Sequence, residues 1–312
     1  MAAEQLRRPY SGAYPYLSAI NYISDSLESN YNGLQATLTK RVSRGLSFMA
    51  GYTYSHALDE SSSDMGQSVS MDNAMPGLDY GNSTYDIRNR FTFTTSYILP
   101  QKKAPLQLLE GWQINSIVNL VGALPFNATD TTTDNSGTGD FNDRWDLIGN
   151  SNDFTAGGPS PIPCYGAAAS SFAKAGCAAL PSACTTAASN LGPAAVTALN
   201  TYGCYMEGNS VILPPAQGTF GTMGRNLLRA KGLRTWDLSL LKNWKFKERL
   251  TAQFRIEAFN ILNFTQYGAA NNVLTTPATF GESLGTPDVI NHNPLIGSGS
   301  ARAAQLSLKL IF

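Results

Sequence analysis

Apolar and polar residues alternate with a period of two along several segments of the chain. In the clearest segment, Leu250, Ala252, Phe254, Ile256 and Ala258 alternate with Thr251, Gln253, Arg255 and Glu257. Alternation of this kind places apolar side chains on one face of a β-strand and polar side chains on the other. The same pattern recurs at residues 34–39, 46–55, 90–99, 112–120, 235–240 and 305–312. The sequence therefore predicts about seven strands, most of them close to the ~9–11 residues that cross a bilayer at a tilt.

The predicted strands are joined by connections that alternate between short and long. The short connections are 42–45, 100–110 and 245–249, and the long polar ones are about 57–89, 122–232 and 262–301. A transmembrane barrel shows this asymmetry, with short periplasmic turns and long extracellular loops. We therefore predict an all-β fold, an antiparallel transmembrane β-barrel of the outer membrane.

An odd number of strands indicates a partial barrel. Bacterial barrels normally have an even number of strands, and an unpaired strand edge in lipid costs several kcal/mol for each unsatisfied backbone group. The first residues, MAAEQLRRPY, lack the apolar run of a secretory signal. We therefore expect this chain to be the C-terminal portion of a longer barrel protein, with further strands before it.

Composition supports β-structure and argues against a helical membrane protein. Charged residues make up 14% of the chain, against about 25% in a typical soluble domain. No run reaches the ~20 apolar residues that a spanning helix needs. The 22 basic and 22 acidic residues cancel, so the overall charge gives no reason to expect nucleic acid as a partner.

All the cysteines lie within the longest predicted connection. They are Cys164, Cys177, Cys184 and Cys204. They lack paired CxxC spacing and have no histidine among them, which disfavours a zinc site. An even number of cysteines in a polar loop suits two disulfides in an oxidising compartment. Four cysteines allow three connectivities, and the sequence leaves all three open.

One stretch of the same connection is rich in aspartate. DTTTDNSGTGDFNDRWD (130–146) contains Asp130, Asp134, Asp140, Asp143 and Asp146. Carboxylate oxygens in a flexible loop could hold Ca²⁺, but the spacing does not match an EF-hand and no glutamate closes the loop. We therefore expect a solvated, turn-rich loop here rather than a metal site.

Polar residues on the strand faces are candidates to line the barrel lumen. They are Asp237, Gln253, Arg255, Glu257 and Lys309. A mixed-charge wall of this kind could contact a plug or a passing ligand. Simple solvation and cross-strand pairing, at about 0.2–1 kcal/mol per pair, would explain the same residues without any function.

Aromatic residues recur at the strand ends at two levels. Tyr52, Tyr54, Phe91 and Phe93 lie toward the long connections, whereas Trp112 and Trp244 lie near the short turns. Two levels of aromatic residues are typical of the girdles at the two interfaces of a membrane. A soluble core would explain single aromatic residues but not this arrangement.

Catalysis is not expected from the sequence. The two histidines, His56 and His292, have no candidate nucleophile near them in the chain. No Walker A, GxGxxG or HExxH pattern is present. We therefore expect a protein that is not an enzyme and needs no cofactor.

Five segments carry a family resemblance that covers more than a third of the chain and nearly every predicted strand. They are YNGLQATLTKRVSRGLSFMAGYTYSHALD (31–59), YDIRNRFTFTTSYILP (85–100), GWQINSIVNLVGALPF (111–126), GRNLLRAKGLRTWDLSLLKNWKFKERLTAQFRIEAFNILNFTQYG (224–268) and AAQLSLKLIF (303–312). In this order they resemble the distal barrel of Oar-like TonB-dependent receptors. One departure is Asn89, where the family pattern would place a histidine.

The resemblance implies a receptor of which this chain is the last third. Such receptors have about 22 strands and a lumen closed by an N-terminal plug, within the range known for outer-membrane barrels. Their loops bind an extracellular ligand, and the TonB complex drives uptake through the plug. The plug, the TonB box and a carboxypeptidase-regulatory-like domain are expected upstream. The last strand, with Leu306, Leu308, Leu310 and Phe312 on one face, looks like the signal that the barrel-assembly machinery reads.

Two other classes of protein remain open at this point. One is a passive porin or adhesin-type barrel whose large 122–232 connection binds surfaces or polymers. The other is a secreted soluble β-sandwich that acts as a binding module. The loops contain no cluster that is diagnostic of a siderophore, cobalamin, sugar or peptide, so the sequence does not identify the ligand.

Overall fold

The computed structural model describes residues 10–17, 25–62, 71–72, 75–139, 141–246, 250–287 and 301–312. Fifteen strands lie within this part of the chain and are numbered in chain order. The long ones are β1 (Ser29–Ser43), β2 (Leu46–Asp59), β4 (Asn89–Ile98), β5 (Trp112–Val121), β13 (Leu233–Phe246), β14 (Leu250–Phe259) and β15 (Ala303–Ile311). All seven overlap the segments in which the sequence predicts strands.

The remaining elements are short and lie mostly between β5 and β13. The short strands are β3 (Gly81–Asn82), β6 (Pro125–Phe126), β7 (Asp146–Ile148), β8 (Cys164–Gly166), β9 (Ala178–Ala179), β10 (Cys204–Glu207), β11 (Ser210–Leu213) and β12 (Leu228–Arg229). The α-helices are Ser171–Lys174, Ser182–Leu191 and Pro193–Thr201, and the 3₁₀ helices are Pro76–Asp79, Pro105–Gln107 and Ser151–Asp153. Among the described residues, no helix combines the length and apolar character required to span a membrane.

The long strands form one antiparallel sheet in the order β1-β2-β4-β5-β13-β14-β15, and β3 adds to the end of β2. Each long strand therefore lies beside its neighbour in the chain. The 122–232 connection leaves the sheet at Val121 and returns at Leu233, and these two residues are cross-strand partners. In the described part of the chain, β1 and β15 form the two edges of the sheet and are not paired with each other.

The strand register gathers the alternating patterns onto two faces. On one face of the sheet, Leu34 pairs with Tyr54 near one edge, and Ile256 pairs with Leu306 and Phe254 with Leu308 at the other edge. The facing positions in β2, β4, β5 and β13 are also mainly apolar, since Ala50 pairs with Phe93, Phe93 with Val118, and Ile114 with Leu240. We call this surface the apolar face. A shift of one residue in any strand would move its apolar side chains to the opposite face.

The apolar face is open to its surroundings over much of its area. Leu34 is 64% exposed and Leu308 is 67% exposed. Contiguous apolar surface of this kind marks a membrane or protein contact rather than a water-facing surface. The opposite face carries serine, threonine, asparagine, glutamine and charged residues, so the sheet has the two-sided character of a transmembrane barrel wall.

The two ends of the sheet differ. One end, the turn end, holds the β1–β2 turn, the β4–β5 connection and the end of β15. The β1–β2 turn is a two-residue hairpin in which Arg44 and Gly45 both have positive φ, as in a type I′ turn. A side chain at Gly45 would also clash with the Ile98 carbonyl oxygen, so glycine is required there. The long connections leave from the other end, the loop end.

Placing a charge on the apolar face should destabilise the protein in its membrane. Leu308→Arg, near the middle of β15, is expected to cost about 2–4 kcal/mol because the guanidinium would face hydrocarbon. The measurement is a urea unfolding titration in lipid vesicles, together with the amount of protein assembled in outer membranes. The control is Gln305→Arg on the opposite face, beside Glu257, which should lose less than half as much. Equal losses would contradict the assignment of the faces.

Candidate functional site

The 122–232 connection is a folded domain, which we call the loop domain. Its core is built around Trp145, which is fully buried and stacks on Phe172 with ring centroids 5.8 Å apart. Tyr205 packs 6.0 Å from Trp145 and 4.5 Å from Phe280. The Tyr205 hydroxyl donates a hydrogen bond to the Leu274 carbonyl, and burial raises its pKa above the ordinary value. The β14–β15 connection, which contributes Leu274 and Phe280, is therefore part of the same core.

A small sheet and two helices form a second cluster beside this core. The sheet has the order β7-β11-β10-β8-β9. Ala188 and Leu199, one from each of the two longer helices, pack with Val211 and Leu213 of β11. The helix Ser182–Leu191 ends at Gly192, whose φ of 113° is outside the helical range, and Pro193 begins the next helix. Proline is well suited to a first helical position because its missing N–H needs no partner there.

Two disulfides brace the loop domain. Cys164 is bonded to Cys177 and Cys184 to Cys204, with sequence separations of 13 and 20 residues. The second bond joins the helix Ser182–Leu191 to β10 within the second cluster. The short closed loops stabilise a small domain whose hydrophobic cores are modest.

The aspartate-rich stretch is folded into the loop domain, so the expectation of a solvated loop is wrong for three of its members. Asp130, Asp143 and Asp146 are nearly completely buried. Asp130 accepts hydrogen bonds from the backbone N–H groups of Thr132 and Thr133 and from Trp145 Nε1. These donors replace the water that the carboxylate loses on burial.

The other carboxylates of this stretch are also used internally. Asp134 accepts hydrogen bonds from the backbone N–H groups of Gly137, Thr138 and Gly139. Burial raises the pKa of Asp143 above its ordinary value of 3.8, partly opposed by a hydrogen bond from the Ser136 N–H. Asp140 lies outside the described residues. No group of three or more potential metal ligands occurs among the residues that are described.

Buried ion pairs join the loop domain to the loop end of the sheet. Arg225 pairs with Asp59 at the end of β2 and also donates to the Asp59 carbonyl. Both side chains are about nine-tenths buried, with exposures of 8% and 11%. Arg144 pairs with Asp79 in the β2–β4 connection, where both side chains are also buried. A buried charge that loses its partner is expensive, so these pairs fix how the domain sits on the strands.

A third ion pair is centred on Asp86, just before β4. Its carboxylate accepts hydrogen bonds from the Ala57 N–H, from Arg88 Nε at 2.8 Å and from Arg229 of the loop domain. Burial alone raises the pKa of Asp86, but these three hydrogen bonds outweigh burial and hold the pKa below its ordinary value of 3.8. Arg229 also donates a hydrogen bond to the Ala123 carbonyl. Residues 123 and 229 lie at the two ends of the loop domain, so Asp86 links both ends, through Arg229, to β2 and β4.

Asparagine side chains complete this attachment. Asn82 Nδ2 donates to the Asn226 carbonyl at 3.0 Å, and Asn226 Nδ2 donates to the Asn82 carbonyl at 2.6 Å. Asn226 has a φ of 55°, in the left-handed region that asparagine tolerates better than most residues. The reciprocal bonds hold β3 and the loop domain in one fixed arrangement.

The predicted lumen-facing residues share the polar face of β13, β14 and β15. Gln253 pairs across the strands with Asn243 and Lys309, and Gln253 Nε2 donates to Asn243 Oδ1 at 3.0 Å. Arg255 lies 3.4 Å from Glu257 in a partly exposed ion pair. These contacts bring the residues onto one surface. That this surface lines a lumen stays a prediction.

The fifth candidate, Asp237, lies toward the loop end. Its carboxylate accepts a hydrogen bond from the Asn260 N–H at 2.8 Å, so it closes the end of the β13–β14 pair rather than extending the polar row. The leucines of β15 lie on the apolar face with Ile256 and Phe254. Their predicted role in barrel assembly stays a prediction.

The histidines do not form a catalytic arrangement with the described residues around them. His56 Nε2 lies 2.9 Å from Arg88 Nη2 and 3.2 Å from Asn82 Oδ1, so it joins β2 to β3 and to the residues that precede β4. His292 lies outside the described residues.

Tyr52 is one of the aromatic residues that lie toward the long connections, and its hydroxyl donates a hydrogen bond to Asn89 Oδ1 at 2.7 Å. Asn89, the one departure from the family pattern, therefore has a structural partner.

Comparison with known families agrees with this architecture. The model of a family described as outer membrane beta barrel domain matches residues 1–289. The chain belongs to this family, which confirms the predicted fold class and the outer-membrane location and sets aside the soluble β-sandwich. No curated protein and no solved structure matches the chain significantly.

Breaking the Arg225–Asp59 pair should release the loop domain from the sheet. Arg225→Met leaves the Asp59 carboxylate buried without its cation, which costs about 3–5 kcal/mol. We expect faster cleavage of the loop domain by a protease at fixed temperature, while the barrel strands stay resistant. Lys174→Met is the control, since Lys174 is an exposed cation of the same domain. Equal cleavage rates in the two variants would show that the pair does not hold the domain.

The attachment should also weaken in acid. Because its folded pKa is lowered, Asp86 contributes stability that is present above pH 3.8 and lost as the pH falls through the folded value. Asp86→Asn should therefore be less stable than the natural protein at pH 7, and this difference should shrink below pH 3.8. Thermal unfolding followed by tryptophan fluorescence measures the stability difference at pH 7 and its decrease in acid. Asp25→Asn, at an exposed position, should change neither, and a constant difference at all pH values would refute the role of Asp86.

Proposed function

We propose that this chain is the distal part of the barrel of an Oar-like TonB-dependent receptor, which takes up an extracellular ligand across the outer membrane. The observation that carries the proposal is the loop domain, which is folded, disulfide-braced and fixed to the loop end of the strands by buried ion pairs. A pre-ordered surface loses little conformational entropy when it binds a ligand. Such a domain suits a receptor better than an open diffusion pore.

The resemblance of five segments to TonB-dependent receptors supports the same proposal. These segments include nearly all the strands of the large sheet. Membership of the outer membrane barrel family is shown for residues 1–289, and the narrower assignment rests on the segments 31–59 and 224–268 above all. In this proposal the loop end is extracellular, the turn end is periplasmic, and an upstream plug contacts the TonB complex.

The polar face of β13–β15 would then contact the plug or the ligand. Its row includes Arg255, Glu257 and Lys309, which offer both signs of charge within a small area. Mixed charges are suited to holding a plug reversibly, because each exposed pair contributes only about 0–1 kcal/mol. The function requires no catalytic residue and no cofactor in this part of the protein.

A passive adhesin-type barrel is the second candidate. It is favoured by the fact that the loop domain has hydrophobic cores of its own and two disulfides. A rigid exposed domain can bind a surface or polymer without any transport. The two candidates differ in what lies inside the barrel and in their dependence on energy.

Solute permeability and TonB contact together decide between these candidates. The complete gene product is reconstituted in liposomes and swelling is followed in arabinose, and formaldehyde cross-linking to the periplasmic domain of TonB is tested in cells. A plugged receptor should give swelling no greater than that of empty liposomes and a specific cross-link. Swelling without a cross-link would identify a porin. Neither signal would favour the adhesin, and either of these two results would overturn the receptor proposal.

A further inference from the structure

The β4–β5 connection, residues 99–111, exposes a cluster of leucines at the turn end. Leu106 is 84% exposed, Leu108 54% and Leu109 57%. The connection includes the 3₁₀ helix Pro105–Gln107, so all three leucines lie within or next to one short ordered turn. Large apolar side chains concentrated in this way mark a contact surface.

The protein holds this connection beside the apolar face of the sheet. Trp112 and Lys242 are cross-strand partners on that face. Trp112 Nε1 donates to the Leu108 carbonyl at 2.7 Å, and Lys242 Nζ donates to the carbonyls of Gln107 and Glu110. The backbone of the connection is therefore fastened to side chains of the apolar face, and its leucines lie at the turn end of that face.

The lysine at the centre of this arrangement is enclosed by aromatic rings. Lys242 Nζ lies 5.3 Å from the ring centroid of Trp112 and 5.2 Å from that of Trp244, and the residue is almost fully buried. Leu106 and Gln107 adopt positive φ values of 53° and 57°, a conformation that such residues rarely take. Gln107 is fixed further by hydrogen bonds with the backbone N–H and carbonyl of Lys245. The exposed position of the leucines is thus imposed by several contacts.

Positive charge surrounds the leucines at this end of the sheet. Lys102 and Lys103 precede them in the connection, and Arg44 in the neighbouring turn and Lys245 at the end of β13 are also exposed. Among the described residues of these turns the one acidic side chain is Glu110. The whole chain has no net charge, so positive charge is concentrated here and balanced elsewhere. Leucine and lysine side by side are the composition of a segment that lies in a membrane interface.

We propose that residues 99–111 are an interfacial anchor that binds anionic phospholipid. Leu106, Leu108 and Leu109 enter the boundary between headgroups and acyl chains of the leaflet next to the turn end. Lys102 and Lys103 contact the phosphate groups of that leaflet, since a lysine near an anionic surface is attracted to it. The anchor would fix the depth of β4, β5 and β13 in the membrane and is independent of any transported ligand.

A site-specific fluorophore tests the insertion. The four cysteines of this chain are all in disulfides, so once any free cysteine elsewhere in the gene product is replaced by serine, an introduced cysteine can be labelled selectively with an environment-sensitive NBD dye. The full-length gene product carrying Leu109→Cys is compared with Leu191→Cys, since Leu191 is an exposed leucine of the loop domain. In nanodiscs, the label at position 109 should shift to the blue and be quenched by doxyl-labelled lipid. Identical emission and quenching at both positions would overturn the anchor.

Lipid selectivity tests the charge. Lys102→Gln/Lys103→Gln is compared with Lys174→Gln in nanodiscs that contain phosphatidylcholine and phosphatidylglycerol, and the lipids that remain bound after detergent extraction are counted by mass spectrometry. Loss of each lysine should lower the preference for phosphatidylglycerol by about five-fold, whereas Lys174→Gln should leave it unchanged. Retention of the natural preference in the double variant would overturn the assignment to anionic headgroups. Heat-modifiable migration on gels confirms that each variant is assembled.

Discussion

A peptide group inside a membrane finds no water, so each backbone N–H and carbonyl of a spanning strand must be satisfied by a neighbouring strand. The rest of this structure depends on that constraint. It requires continuous antiparallel ladders from β1 to β15, and the ladders in turn fix the register. Because register decides which side chains face lipid, the hydrogen bonds of the backbone also determine where Leu34 and Leu308 must lie.

Outside the membrane the loop domain is stabilised by different interactions. Its backbone can use water, so short strands, helices and 3₁₀ turns are all permitted there. The stacking around Trp145, two disulfides and an alanine-rich helix pair supply the stability. Buried arginine–aspartate pairs then make the domain and the strand ends one unit. Such pairs give orientation more than net stability, because both charges lose hydration when the pair forms.

The sheet could be predicted from the sequence because its signal is local. Alternation between Leu250 and Ala258 reports a strand without any knowledge of its neighbours. The loop domain gives no such signal. Arg225 and Asp59 are 166 residues apart, and nothing near either residue indicates its partner. Trp145 lies in an aspartate-rich stretch whose composition resembles that of a solvated loop, and its burial depends on Phe172, Tyr205 and other distant residues.

The candidate surfaces also differ in how far local alternation predicts them. The shared face of Gln253, Arg255, Glu257 and Lys309 follows from the period of two within β14 and β15. The role of Lys242 does not, since alternation places a lysine on the apolar face without explaining it. Its explanation lies in the carbonyls of Gln107 and Glu110, which only the folded β4–β5 connection brings to it. Sequence patterns therefore predict which face of the sheet a residue lies on, but they do not predict the contacts that its side chain makes with a distant connection.

The pairing of Val121 with Leu233 has an evolutionary consequence. A chain that leaves a sheet and returns on the adjacent strand has its two junctions about 5 Å apart, so a change of length within the inserted module leaves the pairing of the strands unaltered. Insertions and substitutions can therefore accumulate in this module while the wall of strands stays the same, provided that Arg144, Arg225 and Arg229 keep their aspartate partners. One barrel frame can in this way carry modules of very different sequence in different lineages.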